Sequence, residues 1–166
     1  MDSTSIITII VLIFLCTIIT IFLKINSNKK KKEALADLAA FALENDCSIT
    51  FSENWKGYST NTKIAIDSNK LWLFFIRKIN DVENKTALNL SEIRKANLVS
   101  KTRSAGEGKN KQTVIDTINL ELSFKTKDKP SAFLEFYNNE FDSLQLSNEL
   151  HIAEKWVTII NKTIEK

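Results

Sequence analysis

Ile118-Asn119-Leu120-Glu121-Leu122-Ser123-Phe124-Lys125 alternates apolar and polar residues without a break. Successive side chains of a strand point to opposite faces, so this pattern predicts a strand with one buried and one wet face, as in an antiparallel sheet. The surrounding sequence has the same character. Short apolar or alternating runs separated by turn residues predict strands over 48–51, 57–59 running into 63–67, 71–78, 86–90, 96–103, 114–127 and 132–137. Asp67-Ser68-Asn69-Lys70 reads as a short hairpin link, and Lys127-Asp128-Lys129-Pro130 as a turn holding the only proline.

Helical patterns bracket the strands. On the C-terminal side, Leu146, Leu150, Ala153, Val157, Ile160 and Ile164 recur at spacings of three and four, with Trp156 beside the stripe. Ser147 is the expected N-cap, and Glu149 suits the positive end of the helix dipole. The stripe is short for a coiled coil, so the domain's own sheet is its expected partner. On the N-terminal side, Lys30 to Glu44 (KKKEALADLAAFALE) is rich in helix formers, with Leu35, Leu38, Ala39 and Ala42 on one side. Asn26-Ser27-Asn28 either interrupts this helix or lies within a longer one.

Further toward the N-terminus, Ile6 to Leu23 is a run of 18 residues without a charge. That length is read as a membrane span. The flank Met1-Asp2-Ser3-Thr4-Ser5 lacks cations, whereas Lys24 and Lys29 to Lys32 follow the run. The positive-inside rule then predicts an external N-terminus and a cytoplasmic domain at the inner membrane. The predicted organisation is a short external segment at 1–5, a transmembrane helix at 6–25, a basic juxtamembrane segment and helix at 26–46, and a domain at 47–166. Only Cys16 and Cys47 are present, which excludes a disulfide framework for the domain.

The whole-chain charge of +3 and mean hydropathy of −0.13 conceal this division. Residues 33–166 hold 18 cations and 19 anions, which excludes a basic nucleic-acid-binding domain. The only histidine, His151, falls among the residues of the C-terminal stripe, and no His/Cys spacing fits a metal site. Ser104-Ala105-Gly106-Glu107-Gly108-Lys109 lacks the glycine spacing of a phosphate loop and reads as a hairpin loop. No catalytic residue, metal or cofactor is therefore expected. The candidate contacts are cationic: Lys29, Lys30, Lys31 and Lys32 beside the apolar run, and Arg94, Lys95, Lys101, Arg103, Lys109 and Lys111 in one stretch, with Lys95, Lys101 and Arg103 on a common strand face. An anionic lipid headgroup or an acidic partner fits such residues. Nucleic acid does not, because no aromatic residues are interleaved with them.

Six or seven meandering strands followed by an amphipathic helix resemble the pleckstrin-homology-like domains. Lys63 to Leu73 (KIAIDSNKLWL) looks like the first clear hairpin of bacterial members. Leu88-Asn89-Leu90-Ser91-Glu92-Ile93 looks like their strand ending in a polar-Ile step, and Ala153 to Ile160 (AEKWVTII) like the closing helix. The resemblance, over about residues 48–166, implies an antiparallel β-barrel or sandwich of six or seven strands closed by the C-terminal helix, which with the expected transmembrane helix makes an α+β fold. It implies a non-enzymatic interaction or scaffold module that recruits protein partners at the membrane. Lys63 and Lys70 match the first basic positions of lipid-binding members, but Trp72 stands where the last cation belongs, so those binding roles are not carried over.

Overall fold

A computed structural model describes Phe14, Thr17, Ile18 and residues 35–106, 111–143 and 145–165. The chain divides into two units, Met1–Asp37 and Leu38–Lys166. In the first, Phe14, Thr17 and Ile18 are helical, and the Thr17 hydroxyl donates to the Phe14 carbonyl at 2.8 Å.

In the second unit, β1 (Phe51–Lys56), β2 (Thr60–Asp67), β3 (Trp72–Ile79) and β4 (Val82–Asn89) form a four-stranded antiparallel sheet, each paired with its neighbour in sequence. β5 (Ile93–Ala105), β6 (Gln112–Phe124) and β7 (Ala132–Asn138) form a three-stranded one. The stretch Ile118 to Phe124 alternates buried and half-buried residues along β6. Its apolar side, with Leu134 and Phe136 of β7, meets Ile64, Ile66, Leu73 and Phe75 of the other sheet. The C-terminal helix α2 (Glu149–Ile164) adds Ile152, Ala153, Trp156 and Ile160 to this core.

The four-stranded sheet is covered on its other side as well. The helix α1, residues 35–43, together with the turn after it, brings Leu38, Phe41, Ala42 and Cys47 against Ala65, Phe74 and Ile76. Burial on both faces explains why β2 and β3 carry nearly continuous apolar runs instead of alternation. Leu35 and Ala39 of the expected helical stripe are exposed, and Phe41 takes the place beside Phe74, with ring centroids 5.5 Å apart.

Two expectations require correction. The closed barrel or sandwich behind a transmembrane helix is replaced by two open antiparallel sheets. The strand ladder breaks at the 3-10 turn Leu90–Glu92, which Asn89 caps by accepting from the Ser91 N–H at 2.9 Å, and the chain there passes from one sheet to the other. The expected span at 6–25 lies outside the described residues except Phe14, Thr17 and Ile18. Among the described residues no helix is long and apolar enough to cross a membrane. The 16 residues of α2 rise only about 24 Å and keep a charged face, short of the hydrocarbon thickness of about 30 Å. The single-pass membrane assignment, with its external N-terminus and cytoplasmic domain, is therefore not carried forward.

Candidate interaction surface

The six residues from Arg94 to Lys111 are distributed along one hairpin. Arg94 sits at an irregularity between Ile93 and Lys95, so these two cations occur side by side. From Lys95 onward β5 alternates. Ala96 and Leu98 turn toward the core, while Lys95, Asn97, Val99, Lys101 and Arg103 share the outer face. Arg94, Lys95, Lys101, Arg103 and Lys111 are all exposed. Lys109 lies outside the described residues, as do Lys29 to Lys32.

Arg103 is already engaged. Its Nε donates to Asp116 Oδ1 at 2.7 Å. Asp116 is the extra residue of β6 where the register steps between Lys101–Thr117 and Thr102–Ile115. The same carboxylate accepts from Asn139 Nδ2 at 2.7 Å, and the Asp116 carbonyl accepts from the Asn139 N–H at 2.9 Å. The bulge thus ties the hairpin to the segment after β7. β7 pairs only with Thr117 to Leu122, so the part of the hairpin nearer its tip continues as two strands beyond the third.

The rest of the outer face is mixed. Asn97 stands opposite Glu121, which stands opposite Phe133; Val99 stands opposite Asn119, which stands opposite Glu135. Phe133 is 58% exposed, an apolar ring within a polar sheet face. No described element packs over this face, in contrast to the outer face of the four-stranded sheet under α1.

A second polar region was not apparent from the sequence. The buried Arg77 of β3 donates from Nη1 to Thr62 Oγ1 at 2.9 Å and from Nη2 to Asp142 Oδ2 at 2.8 Å. Its Nε lies 3.2 Å from Glu135 Oε1 without hydrogen-bond alignment, a contact of charge alone. Asp142 also accepts from the Thr60 hydroxyl and from the Asn138 N–H. Asp142 is buried because the fold brings Arg77, 65 positions away, beside it. Beside this cluster, the β1–β2 and β3–β4 turns enclose an open cleft of about 530 Å³, lined by Lys56, Tyr58, Asn61, Lys78, Asn80 and Asp81 among others. Lys78 Nζ stands 3.6 Å from Asp81 Oδ1 across the cleft's rim.

Comparison with known proteins found no matching family model, curated protein or solved structure.

Burial displaces three titrations. Burial pushes the Cys47 thiol up, with the Asp67 and Asp46 carboxylates adding to the effect and Lys70 opposing it. Such a thiol is held in its weakly nucleophilic protonated form. Burial likewise raises the Tyr137 phenol, aided by Asp142, Glu149 and Asp116, while its hydroxyl donates to the Ser143 carbonyl at 2.9 Å. For Asp67, burial would raise the carboxyl, but N–H donors from Ser48, Lys70 and Asn69 outweigh it and hold the group below its usual range. Asp67 and Tyr137 are thereby occupied in ties within the fold, and Cys47 is packed against Ala65, Phe74 and Ile76. Among the described residues no group of His, Cys, Asp and Glu is arranged to hold a metal ion.

Proposed function

We propose that the chain is a non-enzymatic interaction module of pleckstrin-homology-like kind, which recruits or organises a protein partner on the outer face of its three-stranded sheet. The observation that carries this reading is the exposure of Phe133 on a face that no described element covers. Protein interfaces combine an aromatic anchor with a polar rim. Phe133 supplies the anchor. Glu121 stands opposite it and Glu135 two residues along β7, while Lys95, Asn97 and Lys101 lie on β5, the third strand of the same face. The order of four strands, three strands and a helix supports the kinship, and the engagement of Arg77, Asp142 and Asp67 in ties within the fold supports a binding role over a catalytic one.

The test is site-specific photocrosslinking of the full-length chain in its native cells. A photoreactive residue at position 133 is expected to give discrete protein adducts, weakened at least tenfold by E121K, which reverses the charge directly opposite it. The same residue at Tyr58, 89% exposed in the β1–β2 turn, serves as the comparison. Adducts no more abundant from 133 than from 58 would overturn the reading.

A further inference from the structure

Two open sheets have four edge strands, and hydrogen bonds from other elements reach three of them. Trp55 Nε1 of β1 donates to the Phe136 carbonyl of β7 at 3.2 Å, and Glu53 Oε2 of β1 accepts from Trp156 Nε1 and Lys155 Nζ of α2. β5 receives Asn161 of α2 on Ala96. Among the described residues, no hydrogen bond from another element reaches the outer edge of β4. It runs for eight residues without proline or glycine and pairs with β3 without a register shift, so its free edge is regular. Val82 at its start is 65% exposed. A free, regular edge is a template for another strand unless charge or irregularity blocks it.

We propose that β4 pairs antiparallel with β4 of a second copy of this chain, about a two-fold axis through Asn84, joining the two four-stranded sheets into one of eight strands. The charges select both partner and register. Glu83 and Lys85 lie on the same face, with side chains 36% and 43% exposed and their charged atoms 3.3 Å apart. Centring the axis on Asn84 sets Glu83 opposite Lys85 of the second copy and Lys85 opposite its Glu83, as an isologous interface demands. Centring it on Glu83 or on Lys85 would place a charge against itself. Val82 then stands opposite Thr86, and the two Asn84 residues face one another on the axis. This surface lies on the other sheet from the Phe133 face, and the proposal does not depend on the reading given for that face.

The full-length chain carrying Asn84→Cys tests it directly. Opposed antiparallel residues have Cα atoms about 4.5 or 5.5 Å apart, within the range a disulfide spans. Under a mild oxidant N84C is expected to give a covalent dimer whose linked peptides both contain position 84, which the wild-type chain, with only Cys16 and Cys47, does not form. Adding E83K or K85E should lower the yield at least tenfold, since each opposes like charges. Combining both reversals in one chain should restore it. Mixing the E83K chain with the K85E chain should also restore it, now as a heterodimer. No 84–84 linkage, or a yield indifferent to the single reversals, would overturn the proposal.

Discussion

The side-chain amide of Asn161 in α2 occupies both backbone polar groups of Ala96 in β5, accepting from its N–H at Oδ1 and donating from Nδ2 to its carbonyl, each at 2.9 Å. The amide imitates a neighbouring strand for one residue. Ala96 is 1% exposed, so truncating Asn161 leaves a donor and an acceptor without partners in the interior. N161A is expected to lose about 2–3 kcal/mol in urea unfolding. Hydrogen exchange at the Ala96 amide should accelerate with it. N161D, which keeps the acceptor but loses the donor, should not recover the loss.

Two ion pairs separate buried from exposed electrostatics within one molecule. The Arg77 and Asp142 side chains are 5% and 2% exposed, so D142A strands a buried guanidinium and should cost about 3–5 kcal/mol. Arg103, 56% exposed in its pair with Asp116, should contribute less than about 1 kcal/mol, and R103A should show it. Urea midpoints of the two variants at equal salt check the ranking.

Gly57 abuts the same cluster. A Cβ added there would overlap Asp142 Oδ1 and come within 2.5 Å of Thr60 Oγ1. Since the Asp142 carboxylate is fixed by Arg77, G57A should cost about 1–3 kcal/mol through overpacking. Its effect combined with D142A should be smaller than the sum of the two alone, because the obstructing carboxylate is then gone.

Asp67 links stability to pH. Its carboxyl titrates below the ordinary value of 3.8, so the native state binds the proton less readily than the unfolded chain. The resulting stabilisation is complete above the unfolded-state pKa and is lost as pH falls through the lower native one. Wild type should therefore exceed D67N in stability at pH 7, and the gap should narrow on acidification below about pH 4. Tyr137 has the opposite sign. Its raised phenol contributes stability that is full below the usual value of 10 and declines as pH rises above it, a decline that Y137F should lack. Thermal unfolding from pH 2 to pH 11 reads both limbs.

Phe133 is predicted to matter for binding and not for folding. F133S should shift stability by no more than about 0.5 kcal/mol, as for exposed positions outside a network. A larger loss in thermal unfolding would mean that the ring supports the sheet.

The readable parts of the fold were those with a single chemical contrast. Ile118 to Phe124 separates core from surface residue by residue, and the stripe from Leu150 to Ile164 announces a helix with one buried side. The strands under α1 gave a weaker signal, since burial on two faces erases alternation in β2 and β3. Helix capping shifted by one residue: Asn148 holds the N-cap position, while buried Glu149 accepts from the N–H groups of Ser147 and Asn148. Exposure of Lys95, Lys101 and Arg103 followed from strand alternation. The Arg103–Asp116 pair did not, because it depends on a bulge that residue types do not specify. Asp142 was hidden for a related reason, as a carboxylate becomes an interior residue only when a distant cation arrives beside it.

Neither sheet contains a crossover, and this has a kinetic consequence. Each strand within a sheet can zip onto the one before it across a nearby turn, whereas the fastenings between elements join residues 65 positions apart for Arg77–Asp142, 65 for Ala96–Asn161 and 103 for Glu53–Trp156. Closing a 65-residue loop costs about 2 kcal/mol more than closing one of a few residues. The meanders are therefore expected to form early in folding and the docking of α2 late, so variants at Asn161 and Trp156 should speed unfolding more than they slow folding.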